Sequence, residues 1–346
     1  LAGRAHGFIL SEIVGGVSVI DEQKQDSALP TSTRLIRASA VFAMLLGLAL
    51  AFVPWIIAAS GEYNPMLVSL SLLLGLPFCI GAVGRLLFKI FGVTTGADFG
   101  WASLSVAMVV LFAGASILRE AIICILMAAP FWAFGVWLGT YTMGVSLRRF
   151  PDRPRANGAV FLMLPYVMLG AELHLQPSAQ TYVISRSVTV NASADAVRPL
   201  LSEMRNISVD EGRWNISQNL LGVPRPVSAV VIDQVRLARW QNDVSFEERI
   251  ELNTGSEMRW RFAFPNDSVS RYTDRHISPD SEHLRVETGG YHLEPLTGNR
   301  VRLTLETTYT AKTPVNFYAS LWGELILGDI QSNVLHIIKQ RAEASR

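Results

Sequence analysis

Cysteine occurs only twice in the 346 residues, at Cys79 and Cys124, and both thiols sit inside apolar runs. Two such residues build neither a disulfide framework nor a Cys-rich zinc site, and a thiol in apolar surroundings behaves as a small hydrophobe. Charge is scarce too, at 17% of residues, and nearly balanced at a net +1. After Gln176 there are 19 Lys and Arg against 20 Asp and Glu, interspersed along the chain. The basic stripe of a nucleic-acid binder is missing, so no nucleic-acid partner is expected. No Gly-rich phosphate loop, zinc-ligand spacing or nucleophile elbow occurs either. The sequence therefore offers no catalytic set, no metal site and no cofactor site.

What the chain has in quantity is apolar length, and all of its long apolar runs precede Glu172. A spanning helix needs about 20 mostly apolar residues, because the hydrocarbon core is about 30 Å thick. Residues 38–59, 66–84, 99–118, 121–143 and 156–175 are read as five spans, the fifth interrupted near its end by Glu172 and His174. Pro77 and Pro130 fall inside spans, where membranes tolerate them as kinks. Arg34, Arg37, Arg85, Lys89, Arg148, Arg149, Arg153 and Arg155 gather on one side of the short loops, and the other side holds only Arg119. Lys and Arg are retained on the cytoplasmic side, which predicts a cytoplasmic N-terminus and a C-terminal region on the far side. Trp55, Tyr63, Trp101, Trp137 and Tyr141 lie near helix ends, as an interfacial aromatic belt would. The stretch from Gly7 to Ile20 contains Glu12, is too short to span, and has no basic n-region or cleavage site. Residues 1–33 are expected to form a cytoplasmic tail, 34–176 a transmembrane helical bundle, and 177–346 a water-soluble domain. The setting that fits is a bacterial inner membrane, with the soluble domain in the periplasm.

From Tyr182 the period changes to two, with β-branched residues on both faces up to Val190. Ala194 to Met204 reads as a helix capped by Asn191 or Ser193 despite Pro199. Further strands are predicted at Ala229–Arg239, Val244–Leu252, Glu257–Phe264, Ser270–Ile277, Leu284–Leu293 and Val301–Thr310. Turns such as Asn253-Thr254-Gly255 and Thr297-Gly298-Asn299 give the grammar of an antiparallel meander. A long helix follows from Pro314 to about Ala342. It carries two apolar rows, Phe317, Leu321, Leu325 and Ile326, Ile330, Val334, Ile338, whose expected partner is the sheet.

This order resembles the START-like helix-grip superfamily, also called SRPBCC, over the whole soluble half. The matching stretches are Ser185-Arg186-Ser187-Val188-Thr189-Val190-Asn191-Ala192 with Ala196-Val197, then Phe246-Glu247-Glu248-Arg249-Ile250, then Gly290-Tyr291-His292-Leu293, and at the end Tyr309 with Tyr318 to Arg341. The resemblance implies an α+β fold, a seven-stranded antiparallel sheet wrapped on a long C-terminal helix, with a cavity for hydrophobic or amphipathic ligands. Trp240, Trp260, Phe262, Tyr291, Tyr309, Tyr318 and Trp322 are the residues best able to line it, or else they are ordinary core. Glu247 and Glu248 are adjacent, so one faces in and the other out, and the inward one needs a partner such as Arg249, Arg259 or Arg261. Glu247 is taken with the cavity set. Glu324 and the histidines His276, His283 and His292 offer the remaining acid-base groups.

Three functions follow as expectations. One is membrane-anchored binding of a lipid or other hydrophobic small molecule, with transport or sensing left open. A second is an accessory subunit docking partner subunits of a larger membrane complex, since Gly47, Gly81, Gly84, Gly114, Gly135 and Gly139 permit close helix approach between chains or within one. The third is a polyketide-type cyclase or dehydratase, which would need Glu247, Glu248, Glu324 or His292 in the pocket.

Overall fold

The computed structural model describes residues 49, 69–91, 108, 122–152, 154–172, 174, 177–269 and 278–345. The expected spans 38–59 and 99–118 lie outside these residues apart from Ala49 and Met108, as does the strand expected at 270–277. So does the N-terminal tail.

Among the described residues, three apolar helices with assigned bounds precede the sheet: α1 (Leu76–Phe91), α2 (Ile122–Arg149) and α3 (Pro154–Glu172). Pro77 has no N–H to donate back along α1, and the turn ahead of it, Ser71–Gly75, winds wider as a π-helix. Among the described residues, Ser71–Ile90 and Ile125–Arg149 are long and apolar enough to cross a membrane, and Gly158–Glu172 is shorter. Helices α1 and α2 touch along glycines. A Cβ on Gly81 would strike the Val136 carbonyl, and one on Gly139 the Phe78 carbonyl. Gly135 lies against Leu74 and Pro77, and Gly144 against Arg85, so contacts advance together and the two helices run parallel. These glycines are therefore used inside the chain.

Helix α3 runs back the other way. Cys79 Sγ donates to the Phe161 carbonyl, Ser71 Oγ donates to the Pro165 carbonyl at 2.6 Å, and the Glu172 carboxylate accepts from the backbone N–H groups of Leu70 and Ser71. Glu172, which interrupts the fifth span, thus satisfies orphan N–H groups where the helical chain into α1 begins. Phe134, Trp137, Tyr141 and Val145 of α2 and Val160, Met163 and Val167 of α3 stay exposed.

Seven strands form one antiparallel sheet: β1 (Gln180–Val190), β2 (Pro226–Ile232), β3 (Val235–Trp240), β4 (Ser245–Asn253), β5 (Glu257–Ala263), β6 (Leu284–Leu296) and β7 (Arg300–Ala311), in the order β1-β7-β6-β5-β4-β3-β2. The run expected as one strand from Ala229 to Arg239 is instead a hairpin. Asp233 and Gln234 both adopt positive φ, 47° and 66°, which turns the chain after two residues. Asn242 and Asp243 do the same between β3 and β4.

Between β1 and β2 lie α4 (Ala194–Ser202), whose N-cap Ser193 accepts from the Ala196 N–H, and the short α5 (Ile216–Asn219). Last comes α6 (Asn316–Ala344), which starts after Pro314 and packs on β1 and β7. Its C-terminal half buries Val334, Leu335, Ile337, Ile338 and Ala342 in one core with Val197, Leu201, Trp260, Tyr291 and Leu303. The architecture fits a helix-grip arrangement. The row Phe317, Leu321, Leu325 behaves otherwise than expected, because Phe317 is 78% and Leu321 52% exposed. That end of α6 leans on the helical bundle instead. Tyr318 OH donates to the Met127 carbonyl at 3.1 Å and its ring meets Phe131 edge-on.

At the other end of α6, Arg341 donates to both carboxylate oxygens of Glu211, at 2.6 and 2.8 Å, and to the carbonyls of Arg205 and Asn206. The Arg341 hydrogen bond holds the Glu211 carboxyl below its ordinary pKa. A depressed folded-state pKa contributes stability above the unfolded value, and that stability is lost as pH falls through the folded one. Glu211→Gln should therefore cost about 1 kcal/mol at pH 7, measured by denaturant unfolding of the detergent-solubilised chain. The gap to the parent protein should close as pH drops below about 4, near the unfolded carboxylate pKa.

Candidate functional site

Strand register decides which side chains share the face that α6 grips. Arg236 pairs with Glu248, Glu248 with Phe262, Trp260 with Gly289 and Gly289 with Thr307, so these positions form a band across the sheet on one face. Of the two adjacent glutamates, Glu248 points in, with 5% of its surface exposed. Glu247 points out and pairs with Arg249 at 3.1 Å, which corrects its assignment to the cavity. The partner of Glu248 is Arg236 on the neighbouring strand, whose Nη1 donates to its carboxylate. Arg249, Arg259 and Arg261 all pair with other carboxylates. Burial pushes the Glu248 pKa up against the pull of Arg236. The Arg236 guanidinium lies 5.9 Å from the Trp260 ring centre and 5.8 Å from that of Tyr291, within reach of cation–π attraction.

Four aromatics continue this face beyond the cover of α6. Trp240 meets Phe246 at 5.5 Å, Phe246 lies 5.9 Å from both Phe262 and Phe264, and Phe262 stacks on Phe264. All four are only half-buried. At the head of this wall the interior carries polar atoms without partners, Arg236 Nε and Trp260 Nε1, both on side chains more than nine-tenths buried. Thus Trp240 and Phe262 line an open aromatic face, and Trp260 and Tyr291 sit behind it in the core. Phe246, Phe264 and Arg236 belong to the same constellation. The alternation of β4 points to Phe246, whereas the pairing of Arg236 with Glu248 depends on a hairpin that reads in sequence as one strand.

Tyr309 lies elsewhere, stacked on Tyr182 at 5.4 Å with its hydroxyl against Gly323 of α6. Burial, with Tyr182 and Glu324 adding to it, raises its pKa to about 12. Tyr318 and Trp322 pack edge-on against each other at the bundle end of α6. A separate open groove of about 320 Å³ runs between β1 and α6, walled by Arg186, Leu321, Glu324, Leu325, Gly328 and Asp329 among others. None of the eight cavity candidates lines this groove. His292 is exposed on β6, and among the described residues no group of three His, Cys, Asp or Glu side chains could hold a metal ion.

No protein-family model matches the chain, and no curated protein does. Solved structures do resemble it in part. An aromatase/cyclase, Zhui, from Streptomyces sp. R1128 is 12% identical, covers 48% of this chain and 97% of its own, and gives a TM-score of 0.31. A START superfamily protein from Mycobacterium smegmatis is 13% identical, at 47% and 99% coverage and a TM-score of 0.31. Norcoclaurine synthase from Thalictrum flavum is 14% identical, at 49% and 99% coverage and a TM-score of 0.28. Likeness of this size carries no argument about activity.

The ion pair gives a sharp expectation. Removing one partner of a buried pair strands the other charge and costs about 3–5 kcal/mol, whereas an apolar replacement of both is close to neutral. Arg236→Met should lower the unfolding free energy by that amount, and Arg236→Met with Glu248→Leu should recover most of it, read by denaturant titration of tryptophan fluorescence.

Proposed function

We propose that this chain is a membrane-anchored binder of a lipid or another hydrophobic small molecule, with its helix-grip sheet on the extracytoplasmic side. The observation that carries the reading is the half-buried wall of Trp240, Phe246, Phe262 and Phe264 on the gripped face of the sheet, running into a closed aromatic interior. Ligand pockets are mostly apolar and aromatic, with a few convergent polar groups that orient the ligand. Arg236 Nε and Trp260 Nε1 are such groups, because a buried donor without an acceptor costs free energy that a ligand oxygen would recover.

Two features of the helices support the anchoring. Helices α1 and α2 run parallel, and the sequence between them holds the apolar run 99–118, long enough for a crossing of its own. Arg85 and Lys89 lie in the later part of α1, and Arg148 and Arg149 in the last turn of α2. The opposite ends face the sheet, through Met127 near the start of α2 and through α3, which leads into β1. Basic residues mark the cytoplasmic side, which leaves the sheet on the other.

Binding is tested with the full chain in detergent and the fluorescent hydrophobe N-phenyl-1-naphthylamine. The parent protein should enhance its emission, and Phe246→Ala with Phe262→Ala should weaken binding by about tenfold or more, since each lost ring forfeits over 1 kcal/mol of apolar burial. No enhancement by the parent protein, or none lost in the double variant, would sink the reading. Topology is tested separately. Alkaline phosphatase fused after Arg346 folds only where disulfides form, so an active fusion is expected and an inactive one would place the sheet in the cytoplasm.

A further inference from the structure

The groove between β1 and α6 is lined by Gly328, and Gly323 lies a little over one turn before it on the same helix. A Cβ on Gly328 would collide with the Arg186 guanidinium, and one on Gly323 with the Tyr309 hydroxyl. The bare Gly328 lets Arg186 reach across the seam, where Nη2 donates to Glu324 at 2.5 Å and Nη1 to the Ser185 carbonyl at 3.0 Å. Asp329 stands about one and a half turns further along the helix. It accepts from Ser217 N–H at 2.9 Å and from Ser217 Oγ at 2.8 Å, which fixes its carboxylate at the groove wall. Behind Glu324 the Tyr309 hydroxyl is buried without a partner, and so is Gln331 Oε1 about one turn beyond Gly328.

The opposite end of the groove is apolar. Leu325 lines it, Leu321 continues it, and Phe317 extends the same i, i+4 row, the last two exposed. Phe317 is the neighbour of Tyr318, which touches the start of α2, so the row begins at the helical bundle and reaches Leu325 after about 12 Å. One guanidinium flanked by two carboxylates disfavours a plain anion, and the guanidinium disfavours a plain cation at its own end. A head carrying both signs satisfies both.

We infer that this groove takes the polar end of a zwitterionic amphiphile, a phosphate joined to an ammonium group, drawn from the membrane. The phosphate oxygens meet Arg186, the ammonium meets Glu324 and Asp329, and the apolar chains lie along Leu325, Leu321 and Phe317. This inference rests on the lipid-binding reading above and adds to it a site and a headgroup class.

The test uses the full chain in a non-phospholipid detergent, titrated calorimetrically with dihexanoyl phosphatidylethanolamine and with its anionic counterpart dihexanoyl phosphatidylglycerol. The ethanolamine lipid should bind about tenfold tighter, Glu324→Gln should abolish that preference, and Arg186→Gln should weaken both lipids by about tenfold. A photoactivatable ethanolamine lipid on the unaltered protein should label residues 317–328, which decides the matter even where a variant fails to fold. Equal affinity for the two lipids, or label confined to β3, β4 and β5, would overturn the inference. If the naphthylamine probe binds while neither lipid does, the groove assignment falls and the binding reading stands; if nothing binds, both fall.

Discussion

Helix α6 is held by two different kinds of contact, and the arrangement of the rest depends on them. Its C-terminal half is buried against the sheet, where Gln331 donates to the Ile184 carbonyl at 3.0 Å and to Thr307 Oγ1 at 2.9 Å. A buried amide aligned on two strands fixes rotation of the helix about its axis, which apolar packing alone leaves loosely defined. With rotation set, Ile337 and Ile338 enter the core, and the row Phe317, Leu321, Leu325 is turned away from the sheet. The segment between β1 and β2 is locked to the same helix. Asn333 accepts from the Arg213 N–H and donates to Gln218, and Asp329 holds Ser217.

The interior and the groove follow opposite electrostatic rules. Inside, Arg236 and Glu248 neutralise each other out of water, and aromatic rings surround the pair. Such a pair contributes little net stability, because desolvation offsets most of the attraction, but it forbids any arrangement that separates the two charges. In the groove, Arg186 and Glu324 remain one-third to one-half exposed, so water screens their attraction and the pair can part at little cost.

Much of the fold was legible in the sequence because period and turn residues report local geometry. Strand β1, the cores of β4 to β7, the α4 region and the length of α6 all follow from alternation, caps and apolar rows. What escaped was non-local. The β2–β3 hairpin turns on Asp233-Gln234, a pair without glycine or asparagine, so the run around it reads as one strand. Once that hairpin is missed, Arg236 has no visible route to Glu248, and candidates adjacent on β4 and β5 take its place. The exposed row of α6 escaped for a related reason: an apolar stripe announces that it needs an apolar neighbour but not which one. At the site, Trp240 and Phe262 were legible as large aromatics on strands, while Gly323 and Gly328 gave no signal, since their importance lies in what crosses over them.

The contact between Tyr318 and Met127 has a mechanical side. An α-helix is stiff over its length, and about 32 Å separates Phe317 from Ile338, which is wholly buried. Helix α6 is thus a rod with its pivot in the sheet and its free arm resting on α2. A rotation of about 5° at Ile338 moves the far end by about 3 Å, more than enough to break the hydrogen bond at Met127. A displacement of the bundle at Met127 is therefore carried toward the buried end of α6 by leverage through a single rigid body.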